Sequence, residues 1–436
     1  MQEYVIELSK YFIAFFMVLY TASCFYTFRY PTGEHHKGIF ILQDVLMFLV
    51  QVLCFLNLSL TGGDFQYLFF FAFILIFLFA TITMVSLIYE NINRLLLNNM
   101  CMLLGIGLCM VSRLSFDKAI RQYVIVLVSL IFSLLIPYLL GKIHFFKKIT
   151  WLYATLGIAL LGTVLILGEV THGSKISFSL GGITFQPSEF AKMAVILFLP
   201  WVMEHTKGRS DSLWFMTKAV LCTLPIAALV GSNNLSTAII LLGICAFLIF
   251  ISHPGYLPFL GIGGAGIGFI AVFLMMESYR LERLAIWRNP EAYEKGFQTI
   301  QGLYAIGSGR IFGCGLGKGL QKLGFVPEAQ NDMIFSIICE EGGLFGACLV
   351  IAVFAVLIWR LMVISIHARD LGGALIAGGI MGHIALQVIL NIAVVTNTIP
   401  NTGITLPFIS YGGTSAVFLL GEMGLAMNVG KCDRIN

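Results

Sequence analysis

The chain has 436 residues, 58% of them hydrophobic and only 11% charged, where a soluble domain carries about 25% charged residues. It lacks the polar surface to face water on all sides, which excludes a soluble enzyme and implies a polytopic membrane protein whose helices need about 20 apolar residues each. The net charge of +4 is scattered among hydrophobic runs and forms no basic face for nucleic acid.

Ten cysteines lie mostly inside those runs with no C-x-x-C among them, so neither a zinc site nor a disulfide framework is indicated. The opening Met1-Gln-Glu-Tyr-Val-Ile-Glu7 lacks the basic stretch of a cleaved signal peptide.

Hydrophobic segments at 11–28, 39–60, 68–89, 97–112, 122–141, 150–168, 187–203, 215–231, 235–252, 257–274, 333–359, 372–395 and 407–429 give thirteen candidate spans and an all-α fold class. With the amino terminus outside, thirteen Lys and Arg fall in the inside loops and five in the short outside segments. That bias predicts an external amino terminus and a cytoplasmic carboxyl terminus.

The first three spans, within 1–96, form a separable extension rich in Phe, Leu and Tyr. Their polar loop, Arg29 to Lys37, carries Glu34, His35 and His36 and reads as a solvated turn rather than a metal site. Asp64 falls in a loop, and Asp44 lies near enough to a helix end to reach water.

The texture changes after Arg113, and 97–430 reads as the working unit. Gln186-Pro-Ser-Glu-Phe-Ala-Lys192 opens a helix, with Pro187 and Glu189 suited to its first turn. Glu189 and Lys192 are three apart and share a face. Either they pair with each other to fix packing, or they line a cavity that receives a phosphate-bearing lipid. Asn234 is placed to cap the following span.

The segment 275–332 is the one long polar stretch. Arg280 and Arg283 share a face of an amphipathic helix, with Leu281, Leu284 and Trp287 on the membrane surface, and the arginines are candidates for a substrate diphosphate. The glycine run Gly307–Gly319 suits either an anion cradle or close packing, and it matches no nucleotide fingerprint. Pro327-Glu-Ala-Gln-Asn-Asp332 then leads into a long span. Asp332 reads as a general base at the outer edge of a cavity or as a plain N-cap, with Glu328, Gln330 and Asn331 beside it. Two turns deeper, at least one of Glu340 and Glu341 must find a donor.

His383, Gln387 and Asn391 are four apart and so occupy one helical face. Thr396 to Ser415, with Thr402, Ser410, Gly412 and Gly413, reads as an ordered, partly re-entrant segment. Irregular backbone at that depth is tolerated where it is buried in protein or lines a cavity.

With these residues set out, 97–430 resembles the shape, elongation, division and sporulation (SEDS) family. Gln186–Lys192 is similar to its QPSE[LF]AK motif, and Tyr279-Arg-Leu-Glu-Arg283 with Asn289-Pro290 to its loop opening. Leu303–Gly317 is similar to its glycine run, Pro327–Phe335 to PEAHTDFIF, and Leu406-Pro-Phe-Ile-Ser-Tyr-Gly-Gly413 to its carboxyl-terminal signature. The resemblance implies a ten-helix core, here preceded by three helices, in a bacterial cytoplasmic membrane. It implies a peptidoglycan glycosyltransferase that polymerises lipid II at the outer face beside a class B penicillin-binding transpeptidase.

The family's essential loop aspartate falls on Asp332, and its cavity Glu and Lys on Glu189 and Lys192. A divalent cation on the diphosphate is compatible with this chemistry. The sequence departs from the family in Gln330-Asn331 for His-Thr, Ser232-Asn-Asn-Leu-Ser for QPDLG, Ser174-Lys175 for Arg-Arg, and Asn397 for Gly. Division, elongation and sporulation all stay open as roles. The rival reading is a lipid-linked precursor flippase or a non-catalytic scaffold, since broken helices and glycine hinges also suit alternating access.

Overall fold

The structure is a computed structural model and describes residues 2–430 apart from 30–34, 89–91, 143–168, 172–173, 181–182, 206–220, 222, 232–233, 253–255, 277 and 321–325. Helices dominate, as the hydrophobic runs require, because lipid offers no partner for backbone N–H and C=O groups. Five come first: α1 (Gln2–Arg29), α2 (His35–Gly62), α3 (Gln66–Ile88), α4 (Arg94–Leu114) and α5 (Phe116–Lys142). After a small sheet follow α6 (Pro187–His205), α7 (Leu235–Ser252), α8 (Tyr256–Met276), α9 (Ser278–Arg288), α10 (Phe297–Gly309), α11 (Ile334–His367), α12 (Leu371–Val395) and α13 (Gly413–Gly430). Residues 223–231 are also helical.

Among the described residues eight helices are long and apolar enough to cross a membrane, or nine if the bent pair Phe259–Met275 and Arg280–Arg288 is one span. Of the thirteen expected spans, these eight or nine fall among the described residues. The segment 150–168 and the start of 215–231 lie outside the described residues. α6 carries three charged side chains, Glu189, Lys192 and Glu204, and α13 is diluted by Glu422 and Asn428.

The sheet is a feature the sequence reading passed over. β1 (Glu169–Thr171), β2 (Ser174–Leu180) and β3 (Ile183–Phe185) form an antiparallel meander in the order β1-β2-β3. Its signal is present in the chain: Ile176, Phe178 and Leu180 alternate with serines, the two-residue period of a strand.

α4 is the hub of the bundle, with nearly every side chain from Leu95 to Ser112 buried. The extension docks onto it through buried polar contacts. Asn98 donates to Gln43 at 3.2 Å, the Tyr20 hydroxyl to Asn99 at 3.4 Å, and Arg94 pairs with Asp44 at 3.0 Å. Asp44 is therefore partnered by a guanidinium while 18% of its side chain stays exposed, and Asp64 caps α3 through the N–H of Gln66 at 2.9 Å. At Gly107 any Cβ would lie 2.6 Å from the Phe408 carbonyl, which is how the 396–412 loop comes down onto α4.

α11 is broken. Gly343 has φ 69 and ψ −173 inside it, and the glycine run plugs the break. Leu344 and Phe345 donate to the carbonyls of Arg310 and Ile311, while Cys314 and Gly315 donate to those of Glu340 and Glu341, all at 2.9–3.0 Å. The backbone groups freed by the break are thus satisfied from within the protein. A Cβ at Gly313, whose φ is 75, would strike the Glu341 carbonyl. Of the two readings of the run, close packing is the one realised.

Candidate functional site

The loop from Thr396 to Gly412 gathers the site. Its Thr402 carbonyl accepts from Ser236 at the start of α7 (2.8 Å), and its Asn397 carbonyl from the Trp287 indole on α9 (2.9 Å). The N–H of Gly412 reaches Gln122 on α5 at 3.3 Å, Tyr411 N–H donates to the Gln330 carbonyl at 2.8 Å, and Gln186 N–H to Thr414 at 3.2 Å. The ends of α7, α9, α11, α12 and α13 therefore meet on one face. Ser410 accepts from the N–H of Leu406 at 2.8 Å and closes a tight turn in which Phe408 has φ 64. Gly413 begins α13 close to Ile125. The described non-glycine residues with positive φ are Arg310, Glu328, Asn397 and Phe408; the last three lie in the loops around the site, where strained backbone concentrates, and Arg310 lies at the break in α11.

The stripe on α12 explains how this loop is held. His383 meets Glu422 of α13 at 2.8 Å, with both side chains buried. One turn on, Gln387 donates to the Thr405 carbonyl at 3.0 Å. One turn further, Asn391 donates to the carbonyls of Ile404 (2.6 Å) and Asp332 (2.8 Å). One face of one helix thus fixes α13, the loop and the turn at Asp332 that leads into α11 in succession.

Asp332 sits at the amino-terminal end of α11 with 9% of its surface exposed. Its Oδ1 accepts from Gln298 Nε2 at 3.3 Å. Burial pushes its carboxyl up from the ordinary 3.8 to about 6; the N–H groups of Asp332 and Met333 and the charge of Arg283 pull the other way, and Glu328 adds to the rise. The backbone N–H groups favour the ionised form but burial outweighs them, which leaves a carboxylate more basic than an exposed one.

The neighbours divide. Glu328, at φ 52, turns its carboxylate onto its own loop and accepts from Asn331 at 2.6 Å and Gln330 at 3.2 Å. Arg283 is exposed and donates to the Asn401 carbonyl at 3.2 Å. Arg280, expected on the same face as a diphosphate clamp, is 4% exposed and donates to the carbonyls of Phe273 (2.7 Å) and Gly231 (2.9 Å). It ties α8 to the end of the 223–231 helix, a structural duty its helical period could not reveal. Asn234 does cap α7, accepting from the N–H of Thr237 at 3.2 Å.

Lys192 and Glu189 pair at 2.8 Å and are 2% and 9% exposed. Their mutual contact is the pairing one, while Glu189 Oε2 and the Ser188 hydroxyl are buried without a hydrogen-bond partner among the described residues. The Thr402 hydroxyl is in the same condition at the loop. Both acids of the Glu340-Glu341 pair find donors: Glu340 accepts from Leu320 N–H at 2.8 Å and Glu341 from Arg113 at 2.7 Å. Among the described residues no three His, Cys, Asp or Glu side chains converge to hold a metal ion, and Glu34 to His36 offer no described side chains. The residues that sequence reasoning missed are Gln298 and Asn401, joined by an Asn401 Nδ2 to Gln298 Oε1 bond of 3.2 Å.

Against known proteins, residues 91–435 match the family model described as cell cycle protein, FtsW/RodA/SpoVE. Stage V sporulation protein E of Bacillus subtilis is 36% identical over 65% of this chain and 80% of its own length. The probable peptidoglycan glycosyltransferase FtsW of Dichelobacter nodosus is 35% identical over 74% of this chain and 86% of its own. Among solved structures, a chain of a peptidoglycan synthase complex coordinating polymerization and crosslinking superposes with TM-score 0.65 at 24% identity, covering 78% of this chain and 97% of that one. The rod shape determining protein RodA of Thermus thermophilus gives TM-score 0.59 at 24% identity, covering 79% and 98%. At such identities these two likenesses speak to fold.

Proposed function

This chain belongs to the FtsW/RodA/SpoVE family of cell cycle proteins, and from that membership we propose that it is a peptidoglycan glycosyltransferase whose base is Asp332. The observation that carries the proposal is the setting of Asp332, a nearly buried carboxylate poised at about 6 at the head of a membrane helix and hydrogen-bonded by the neutral Gln298 amide. The relatives' names supply the reaction class.

The substrate we assign is lipid II, a disaccharide-pentapeptide on a polyprenyl diphosphate. The 4-hydroxyl oxygen of an acceptor sugar attacks the anomeric carbon of the donor. The bond from that carbon to the diphosphate oxygen breaks, the diphosphate leaves with the electron pair, and the hydroxyl proton passes to Asp332. At pH 7 a group of pKa about 6 is roughly nine-tenths ionised and still basic enough to take the proton. One carboxylate suffices because the diphosphate departs without protonation, unlike the leaving groups of hydrolytic glycosidases. Exposed Arg283 is the cation assigned to the departing diphosphate. Lys192 serves by holding Glu189, whose second oxygen is an acceptor suited to a sugar hydroxyl, while the neighbouring Ser188 hydroxyl can donate to a sugar or a phosphate. A divalent ion, if recruited, would be held by the diphosphate, because Glu328 is bound to Gln330 and Asn331. No step here depends on one.

The partner we propose is the class B penicillin-binding transpeptidase that the family resemblance implies; a solved chain of similar fold belongs to a peptidoglycan synthase complex that coordinates polymerization and crosslinking. Sidedness is proposed from charge, with Asp332 and the amino terminus outside and the carboxyl terminus cytoplasmic. Relatives named for sporulation and for division match at 36% and 35%, so the proposal is of a reaction and not of a stage in the cell cycle. Purified protein in liposomes with fluorescent lipid II tests it: polymer is expected from the native chain and absent with Asp332→Asn, whose fold is checked by thermal melting. Undiminished polymer from the variant would remove Asp332 as base.

A further inference from the structure

We propose that Gln298 is a positioning residue for Asp332, its amide turned by Asn401 so that the nitrogen faces the carboxylate. The inference rests on reading Asp332 as the base.

The orientation follows from a chain of single-sense hydrogen bonds. Gly403 N–H donates to Asn401 Oδ1 at 3.1 Å, which leaves Asn401 Nδ2 to donate to Gln298 Oε1 at 3.2 Å. Gln298 Nε2 is then directed at two acceptors, Asp332 Oδ1 at 3.3 Å and the Pro327 carbonyl at 3.2 Å. Flipping the Gln298 amide would set its oxygen against those two oxygens and its nitrogen against another nitrogen, so the network is consistent in one sense only. A backbone N–H, which cannot flip, thereby sets the direction of a side-chain carboxylate two residues removed through space. Arg283 steadies Asn401 through its carbonyl, and Asn391 holds the backbone carbonyl of Asp332 itself.

The chemistry favours an amide here. Among the described residues Gln298 is the one side chain that hydrogen-bonds the Asp332 carboxylate. The charged groups that face Asp332 are Glu328 from its own turn and Arg283 from α9, while α10, α12 and the loop present the neutral Gln298, Asn391 and Asn401. A lysine or arginine in place of Gln298 would also hold the carboxylate, but by an ionic bond that lowers its basicity. An amide fixes the rotamer and leaves the oxygen able to accept a proton.

The test uses the whole chain in lipid with Gln298→Leu and the isosteric Gln298→Glu, each read two ways. One readout is kcat and KM for lipid II polymerisation from pH 5 to 8.5. The other is an infrared titration of the Asp332 carboxyl band, identified by its loss in Asp332→Asn. Gln298→Leu is expected to lower kcat about tenfold with KM little changed, as loss of a bond to a charged group does, and to raise the band's midpoint. Gln298→Glu is expected to raise both the band midpoint and the acid limb of kcat by about one pH unit or more, because two adjacent carboxylates resist ionising together. Midpoints equal to wild type in both variants would overturn the proposal, and Gln298→Glu keeps it open to refutation even if Gln298→Leu fails to fold. A band that shifts while the pH–rate profile stays put would leave the positioning intact and overturn the base reading instead.

Discussion

Replacing Asp332 with Asn should move activity and stability in opposite directions. The carboxyl is pushed from 3.8 to about 6 because burial penalises its charge. Relative to the unfolded chain, the ionised form therefore costs about 3 kcal/mol above pH 6. The folded state holds the proton more tightly, so the cost is absent below about pH 4, grows as pH rises between the two values, and is complete above the higher one. Asn is nearly isosteric and carries no charge. Its oxygen can still accept from Gln298, while its added N–H groups forfeit about 1 kcal/mol where they replace an acceptor. The balance is a gain of roughly 1–2 kcal/mol at pH 7.5, read as a rise of about 1–2 °C in melting temperature, shrinking toward zero or reversing at pH 4.5. Polymerisation should fall by about 10²–10⁴-fold, the range for a lost general base. Scanning fluorimetry of both proteins in detergent at the two pH values, with the liposome assay beside it, gives the result. A variant that melts lower than wild type by the same margin at both pH values would refute the reasoning, because the carboxylate would then be a structural cap.

The same carboxylate predicts an acid limb in the wild-type rate: polymerisation should fall about tenfold per pH unit below pH 6, measured as initial rates in buffered liposomes. Gly313→Ala forces a Cβ onto the Glu341 carbonyl at a positive φ, whereas Gly307→Ala meets nothing within 4 Å. The first should lose several degrees of melting temperature and the second none, since helical Ala is favoured over Gly. Glu341→Gln should destabilise by about 3–5 kcal/mol by stranding the buried Arg113, while Arg113→Met with Glu341→Leu should be far milder; a double-mutant cycle on melting temperatures decides it. Asn391→Leu strands the carbonyls of Asp332 and Ile404 and should cost about 1–3 kcal/mol for each, with kcat falling more than KM changes.

What the chain disclosed about itself followed the reach of each signal. Asn234 as a cap and the alternation missed in β2 are local, written within a few residues and confirmed by backbone bonds of the same span. The stripe His383, Gln387, Asn391 was legible as a face but silent about its partners, because periodicity gives direction and never distance. Glu422, Thr405 and Asp332 come from other segments. Arg280 was misread for the same reason. Its spacing from Arg283 put both on one side of α9, yet one side chain is buried on carbonyls and the other exposed. Gln298 and Asn401 carry no charge and no motif weight, and what they do depends on a contact between residues 103 positions apart. The glycine run disclosed close packing as one option but not its partner, since the break it fills lies about thirty residues on, at Gly343.

The departures from the family pattern become intelligible at the same site. Asn397 stands where glycine is usual and has φ 54, a conformation that asparagine tolerates best among residues with a side chain. Its amide is also placed toward the Trp287 carbonyl at 3.5 Å. Gln330-Asn331 stands where His-Thr is usual, and both amides donate to Glu328. A histidine there would titrate in the same range as Asp332 and, when charged, would hold the neighbouring carboxylate down. The amides do neither. They satisfy Glu328 without adding a group that gains charge as Asp332 loses it, so in this chain the Asp332 carboxyl is set by burial, with Arg283 and Glu328 as its charged neighbours. The acid limb should then follow a single ionisation, and Gln330→His should split or broaden it; an unchanged limb in that variant would show that the position has no electrostatic hold on Asp332.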